Sequence, residues 1–490
     1  MTFRVIVIAI FALGLAGLFT SVLAQRSDWP TEDPPPPLLQ RDVVFPDYEI
    51  RQLENGLRVV YVGHHEQPAV NVQLLMRAGA ASDPVRKPGV AALVGQLLDQ
   101  GTTTKSAPEI AAAIDSVGGA LTVGAATDLS FVNVLVMKDS FDLALDMLAD
   151  VARRPAFAPS EIERQRQQAL SGIQVGYDDP AYIADVVFNR LVYGFHPYGM
   201  PQSGTPESIR AITRQDLVAF HQTHYLPNNG VIAVVGDVTA DEAFKGVQRT
   251  FSDWMRGSLP AFGNGDIPIP TRRLVVIDKP GAVQTTVRAG HAALPRAHPD
   301  FLAFDLTIKI LGGEGGNRLG SVLRTARSLT YAASADLAGR QLAGDFMAKT
   351  DTRSVATSEA LRLTVDEVAR IGREQVHPRE LQSAQDYLSG NFPISIETPN
   401  AIATRVLEVI LHGLDLDGLD TYRERINAVT VNEIRRVAET HLKPAQLSIV
   451  LVGDASMFVQ DLAGVGFDRF EVIPLVELDL SAADLRRKTQ

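Results

Sequence analysis

The sequence predicts an α+β fold of two homologous domains, and three observations carry that expectation. At 490 residues the chain is longer than one hydrophobic core ordinarily serves. Its strand and helix signals are mixed with hairpin signals rather than ordered as βαβ units, which favours antiparallel sheets over a parallel one. A long segment also occurs twice: ITRQDLVAFHQTH (Ile212–His224) is matched by VTVNEIRRVAETH (Val429–His441), and YLPNNGVIAVVGDV by LKPAQLSIVLVGDA at the same offset. Both copies read as a capped amphipathic helix, a proline-containing turn and a strand ending in Gly236-Asp237 or Gly453-Asp454. So long an offset marks a duplicated domain rather than a solenoid, whose periods are about 20–50 residues.

Arg4 precedes an apolar run from Val5 to Ala24, and Val22-Leu23-Ala24 suits cleavage before Gln25. Residues 1–24 therefore read as an export signal, or as an uncleaved anchor, since the run is long enough to span a bilayer. Either places the folded part outside the cytoplasm. Residues 25–44, with Pro34 to Pro37 in a row, read as a stiff linker.

The first domain is expected over 45–257. Asn55-Gly56 between YEIRQL and LRVVYV is a two-residue hairpin signal. Val70, Val72 and Leu74 alternate in the next strand. Gly89 to Gln100 follows as a helix with Val90, Leu93, Val94, Leu97 and Leu98 apolar. Ser106 and Glu109 form a capping-box pattern before a helix that stops at Gly118-Gly119. Further helices are expected from about Phe141 to Arg153 and from Pro159 to Val175. The Gly- and Pro-rich stretch 258–271 reads as a linker, 272–470 as the second domain and 471–490 as a C-terminal tail.

In the second domain, GGEGGNRLGSVLRTARSLTY (312–331) opens with Gly312, Gly313, Gly315 and Gly316, which end one helix and start the next. Leu319, Val322, Leu323 and Ala326 recur as one buried helix face. Arg318 then sits in the first turn and Tyr331 beyond the far end, where TYAASA opens a strand. By local pattern alone these are a solvated charge and a packing ring. If the chain folds back, the two donors suit a peptide carbonyl that becomes an oxyanion.

Composition and motifs exclude several classes. The 46% apolar and 21% charged content is that of a globular protein, and the net charge of −11 argues against nucleic acid. The absence of cysteine excludes disulfides, thiolate zinc sites, a cysteine nucleophile and a cysteine-linked lipid anchor. No G-x-S-x-G elbow occurs. The glycines at 312–316 are no phosphate loop, because no G-K-[ST] follows and Glu314 would repel phosphate. His64-His65-Glu66 follows an extended segment, where neighbouring side chains diverge. His221 and His224 share a helix face without a nearby glutamate, and His196 reads as shaping a turn with Pro197 and Gly199.

Taken together, NGLRVVYV (55–62), LLMRAGAASDP (74–84), GVAALVGQLLDQGT (89–102), DDP (178–180), HPYGMPQSGTPESI (196–209), the repeated VVGD/LVGD and GGNRLGSVLRTARSLTY resemble the pitrilysin/insulinase family of zinc peptidases. The similarity is to the branch of mitochondrial processing peptidase and bacterial two-domain homologues, over about residues 45–465. It implies two similar domains, each an antiparallel sheet with helices packed on one face, forming half of a peptidase chamber.

Active members carry an inverted zinc motif, H-x-x-E-H, with two imidazoles on zinc and a glutamate that activates water. Here the resemblance puts Ala92, Gly95 and Gln96 at those positions, and Gly172 at that of a further glutamate ligand. Alanine and glycine offer no ligand and glutamine is a poor one, so this chain is expected to bind no metal and to use no cofactor of its own. Arg318 and Tyr331 match, thirteen residues apart, the pair that the family's second domain presents to a zinc site. The resemblance thus implies a non-metal-binding subunit of a heterodimeric zinc metalloendopeptidase in the bacterial periplasm. Its partner would be a homologous chain with intact H-x-x-E-H that carries the zinc, and its ligand a peptide substrate. The alternative is a catalytically inactive scaffold or peptide-binding protein of the same fold.

Overall fold

The computed structural model describes residues 43–487, apart from 263–265, 270 and 314. The expected export segment 1–24, nearly all of the 25–44 linker, four positions of the 258–271 linker and Glu314 therefore lie outside the described residues.

Among the described residues, twelve strands form two six-stranded sheets. In the first half these are β1 (Tyr48–Gln52), β2 (Arg58–Gly63), β3 (Ala69–Met76), β4 (Ala120–Ala125), β5 (Ser130–Met137) and β6 (Gly230–Gly236). The second half has β7 (Arg273–Asp278), β8 (Gln284–Ala293), β9 (Ala333–Ala338), β10 (Gly344–Arg353), β11 (Ser448–Gly453) and β12 (Glu471–Pro474). The orders β1-β2-β6-β3-β5-β4 and β12-β7-β11-β8-β10-β9 are the same pattern twice. Most pairings are antiparallel; β2–β6, β7–β11 and β7–β12 run parallel.

The longer helices are α1 (Val90–Leu97), α2 (Ala107–Asp115), α3 (Phe141–Arg153), α4 (Pro159–Gly176), α5 (Pro180–Tyr193), α6 (Arg214–His224), α7 (Ala240–Phe251), α8 (Phe301–Ile308), α9 (Thr357–Arg373), α10 (Pro378–Asn391), α11 (Pro399–Leu411) and α12 (Val431–His441). None of the described helices is long and apolar enough to cross a membrane. Local chemistry starts many of them. Ser106 with Glu109 boxes the start of α2, and the repeat uses one device twice, Thr213 with Asp216 at α6 and Thr430 with Glu433 at α12.

Period-two alternation decides what each sheet face meets. On β3, Val70, Val72, Leu74 and Met76 join the core under the first half's own helices. Asn71 and Gln73 point the other way and meet Asn400 and Thr404 of α11, a helix of the second half. On β7 and β11, Leu274, Val276, Ile449 and Leu451 face their own helices. Val275, Ile277, Val450 and Val452 lie instead under Ile183, Val187 and Phe188 of α5, a helix of the first half. The halves therefore exchange one helix each: each half's own helices pack on one face of its sheet, and the borrowed helix lies on the other. Near-continuous apolar strands such as GVIAVVG and SIVLVG are what two-sided burial requires. Polar contacts complete the seam: the buried Arg288 guanidinium pairs with the half-exposed Asp185 at 2.7 Å, and the buried Tyr193 donates to Asp345 at 2.9 Å.

The expected tail 471–490 needs correction. Glu471–Pro474 is β12, which fills on β7 the edge place that β1 fills on β2. Leu478, Leu480 and Leu485 are buried against α5, and Arg190 Nε donates to the Leu480 carbonyl at 3.0 Å. Pairing and burial hold this segment in the fold.

Candidate functional site

In the first half the candidate positions lie on α1 and α4. Asp83 fixes the start of α1 by accepting from the Gly89 and Ala91 N–H groups, both at 2.7 Å. Burial pushes its carboxyl up to about 7, against the downward pull of those two donors. The apolar face of α1 then packs against the sheet, α4 and α6. Gly95 is buried on that face, and a Cβ placed there would lie 2.8 Å from the Gly124 carbonyl carbon on β4. A glutamate at this position would collide with backbone. Ala92 is half-buried, while Gln96 on α1 and Gly172 on α4 are exposed. No trio of His, Cys, Asp or Glu side chains gathers here among the described residues. Ala92, Gly95 and Gly172 carry no side-chain donor for a metal, and Gln96 offers only a neutral amide.

The second half shapes 309–331 differently. Helix α8 runs into a π-helical turn, Lys309–Gly313, and a second π-helix spans Gly320–Ala326. Asn317 Oδ1 accepts from the Gly320 N–H at 2.7 Å as the latter starts. Arg327 N–H reaches back five residues to the Val322 carbonyl at 3.1 Å. This wider winding breaks the expected 3.6-residue face: Leu319 and Leu323 are fully buried, Val322 is half-buried and Ala326 is exposed. Ser328 closes the helix at φ +52°, and the chain turns back toward β9.

Arg318 and Tyr331 end in different surroundings. The Arg318 side chain is 6% exposed. It forks onto Glu380 of α10 through Nε at 2.8 Å and Nη2 at 2.9 Å. Glu380 is itself held by the His377 N–H at 2.9 Å. Burial pulls the guanidinium down, but Glu380, Glu367 and Glu374 outweigh it and hold Arg318 above its ordinary value. Nη1 is buried with no hydrogen-bond partner. Tyr331, in contrast, is 86% exposed, and its ring lies under the Arg324 guanidinium, with Cζ 5.2 Å from the centroid. Arg324 is a residue the helical-face argument passed over; its one signal was a basic residue at the end of the segment.

The histidines serve structure. His65 Nδ1 lies 2.8 Å from Asp237, His221 Nε2 lies 2.8 Å from the Ala152 carbonyl, and His196 Nδ1 accepts from the Tyr198 N–H within the expected turn. Burial pushes His221 down to about 4 and lowers His224. One metal-like group escaped the sequence: His298, Asp300 and His441 bring ligand atoms within 4.8 Å of one another. Its members are already partnered. Arg436 forks onto both Asp300 oxygens at 2.7 and 3.0 Å, His441 Nε2 lies 2.8 Å from Asp300, and His298 Nδ1 accepts from the Asp300 N–H. A cation would have to displace an arginine, so the trio reads as a tie between the start of α8 and the end of α12.

Comparison with known proteins agrees with this architecture. Residues 58–196 match the family described as insulinase (peptidase family M16), and residues 211–388 match its peptidase M16 inactive domain. An uncharacterized zinc protease of Mycobacterium leprae is 27% identical over 416 residues, covering 81% of this chain and 90% of that protein. The crystal structure of a peptidase M16 inactive domain from Pseudomonas fluorescens superposes with a TM-score of 0.78 at 27% identity, covering 83% of this chain and 98% of that one. A protease from Helicobacter pylori shares the fold with a TM-score of 0.77 at 22% identity, covering 84% of this chain and all of that one. With residues 58–196 and 211–388 matching two models of one family, and the duplicated sheets in place, the chain belongs to peptidase family M16, the insulinase family.

Proposed function

We propose that this chain is the non-metal-binding subunit of a heterodimeric zinc metalloendopeptidase, contributing half of its chamber. The observation that carries the reading is the state of α1, where Gly95 is closed against Gly124 and no ligand set remains, beside a second half that holds Tyr331 at the surface. The partner is a homologous subunit with intact H-x-x-E-H, and the zinc belongs to that partner. This chain's part is binding and orientation. The Tyr331 hydroxyl donates to the carbonyl oxygen of a bound peptide and keeps donating as that oxygen gains charge. Arg318 joins by exchanging Glu380 for the substrate. We place the complex outside the cytoplasm, in a bacterial periplasm, on the strength of residues 1–24.

The experiment is peptide hydrolysis by this chain alone, by a homologue with the zinc motif alone, and by the mixture. Activity in the mixture alone is the expected result, and no gain on mixing would remove the proposal. A second reading, an inactive scaffold or peptide-binding protein, is favoured by one observation: the Arg318 fork is spent on Glu380.

A further inference from the structure

β3 and β8 hold the same place in the two sheet orders, and the loop leaving each carries an arginine: Arg77 directly after β3, Arg296 shortly after β8. Both are half-buried. Arg77 Nη2 donates to the Ile410 carbonyl at 3.3 Å, near the end of α11, which uses one of its several N–H groups. Arg296 lies over the Phe301 ring, with Cζ 4.6 Å from the centroid. Neither guanidinium has a carboxylate partner among the described residues.

The acidic groups of this region are engaged elsewhere. Asp345 pairs with Arg340 at 2.8 Å, Asp305 lies 3.8 Å from Lys309 and Glu408 3.6 Å from Arg405. Asp128 accepts from the Tyr198 hydroxyl at 2.6 Å and from the Gln341 N–H at 2.8 Å.

His412, just past the end of α11, stands where the two loops meet. The charges its ring faces are Arg296, Asp128 and Arg77, and its Nδ1 is buried with no hydrogen-bond partner. Burial, then the arginines, push this imidazole down to about 4, so at pH 7 it is neutral and can donate from Nδ1. Burial also lowers the pKa of both guanidiniums. Two partly desolvated cations and an orphaned ring nitrogen make a set of donors short of a counter-charge, the arrangement that an anion relieves.

We propose that the seam between the halves is an anion site, in which a tetrahedral oxyanion of the sulfate or phosphate class lies between Arg77 and Arg296 with His412 Nδ1 as a further donor. Guanidinium forks match the paired oxygens of such an ion. One ion then bridges equivalent loops of the two halves. The proposal does not rest on the split-enzyme reading, and hydrolysis is not its readout.

The test titrates sodium sulfate into the full chain alone by calorimetry at pH 7, with chloride holding the ionic strength constant. Saturable binding of one sulfate with a Kd of about 1 mM is expected. Arg77→Gln and Arg296→Gln should each raise that Kd about tenfold or more, the scale of a hydrogen bond to a charged group, and His412→Gln about threefold. In chloride alone Arg296→Gln should melt no lower than the parent chain, because it removes an unpaired charge rather than a structural tie. Inorganic phosphate run beside sulfate identifies which of the two the site prefers. Absence of saturable binding for both ions, or binding that survives both arginine substitutions, overturns the inference.

Discussion

The two halves repeat one topology and treat the same region in opposite ways. After β3, helix α1 lies so close to β4 that Gly95 has no room for a side chain. After β8, the corresponding helix α8 loosens into π-helical turns, and the following segment leaves Arg324 and Tyr331 in solvent. Tight packing on one side and polar display on the other come from the same sheet order. A duplicated fold therefore does not carry duplicated chemistry: one contact between Gly95 and Gly124 is enough to close a position that a charged side chain would need.

Several substitutions would break or sharpen that contrast. The largest effect is expected from Tyr331→Phe in the mixed complex, lowering kcat by about 100- to 1000-fold, the value of one oxyanion donor, with assembly unchanged by gel filtration. Unaltered turnover would show that the displayed half is not displayed for catalysis. Gly95→Glu should destabilise the chain by about 3 kcal/mol or more, because the new side chain meets β4 backbone and buries a charge; urea unfolding measures this. An unchanged midpoint would mean that the α1–β4 contact yields. Arg318→Ala should cost about 2–3 kcal/mol in the same assay, since it strips Glu380 of its partner beside the buried Glu367. A drop in activity without a drop in stability would put the role of Arg318 on the substrate rather than in the fold.

A smaller effect separates the halves by pH. His221, buried in the first half, is pushed down to about 4, so the unfolded chain takes up its proton first. Stability should be level above about pH 6.5 and fall by on the order of 2 kcal/mol by pH 5, and His221→Gln should flatten that slope in urea midpoints. The smallest expected effect is none: metal analysis should find no stoichiometric zinc, and a chelator should leave the melting temperature in place. One tightly held zinc per chain would overturn the account of α1 and direct attention to His298, Asp300 and His441.

Much of the fold was legible because its signals are local. Asn55-Gly56 marked the β1–β2 hairpin, Ser106 and Glu109 marked the start of α2, and the repeat marked α6–β6 and α12–β11. What remained hidden depends on distance or on winding. The apolarity of Ile183, Val187 and Phe188 foretold burial but not that another half's sheet would cover them. The Arg318–Glu380 pair joins residues far apart in the chain, and no spacing rule reveals it. Reading 319–326 at 3.6 residues per turn put Ala326 inside, where π winding turns it out and brings Arg324 beside Tyr331 instead.

The exchanged helices α5 and α11 also govern what happens if the chain is cut. Each half lends the other a buried surface, so a protease that nicks 258–271 would produce two fragments still clasped together. Neither fragment made alone could shield its own sheet, and each would clump through the strand face its missing helix covers. The duplication behaves as one knotted purse rather than two coins: the halves must mature together, and they should melt in a single transition.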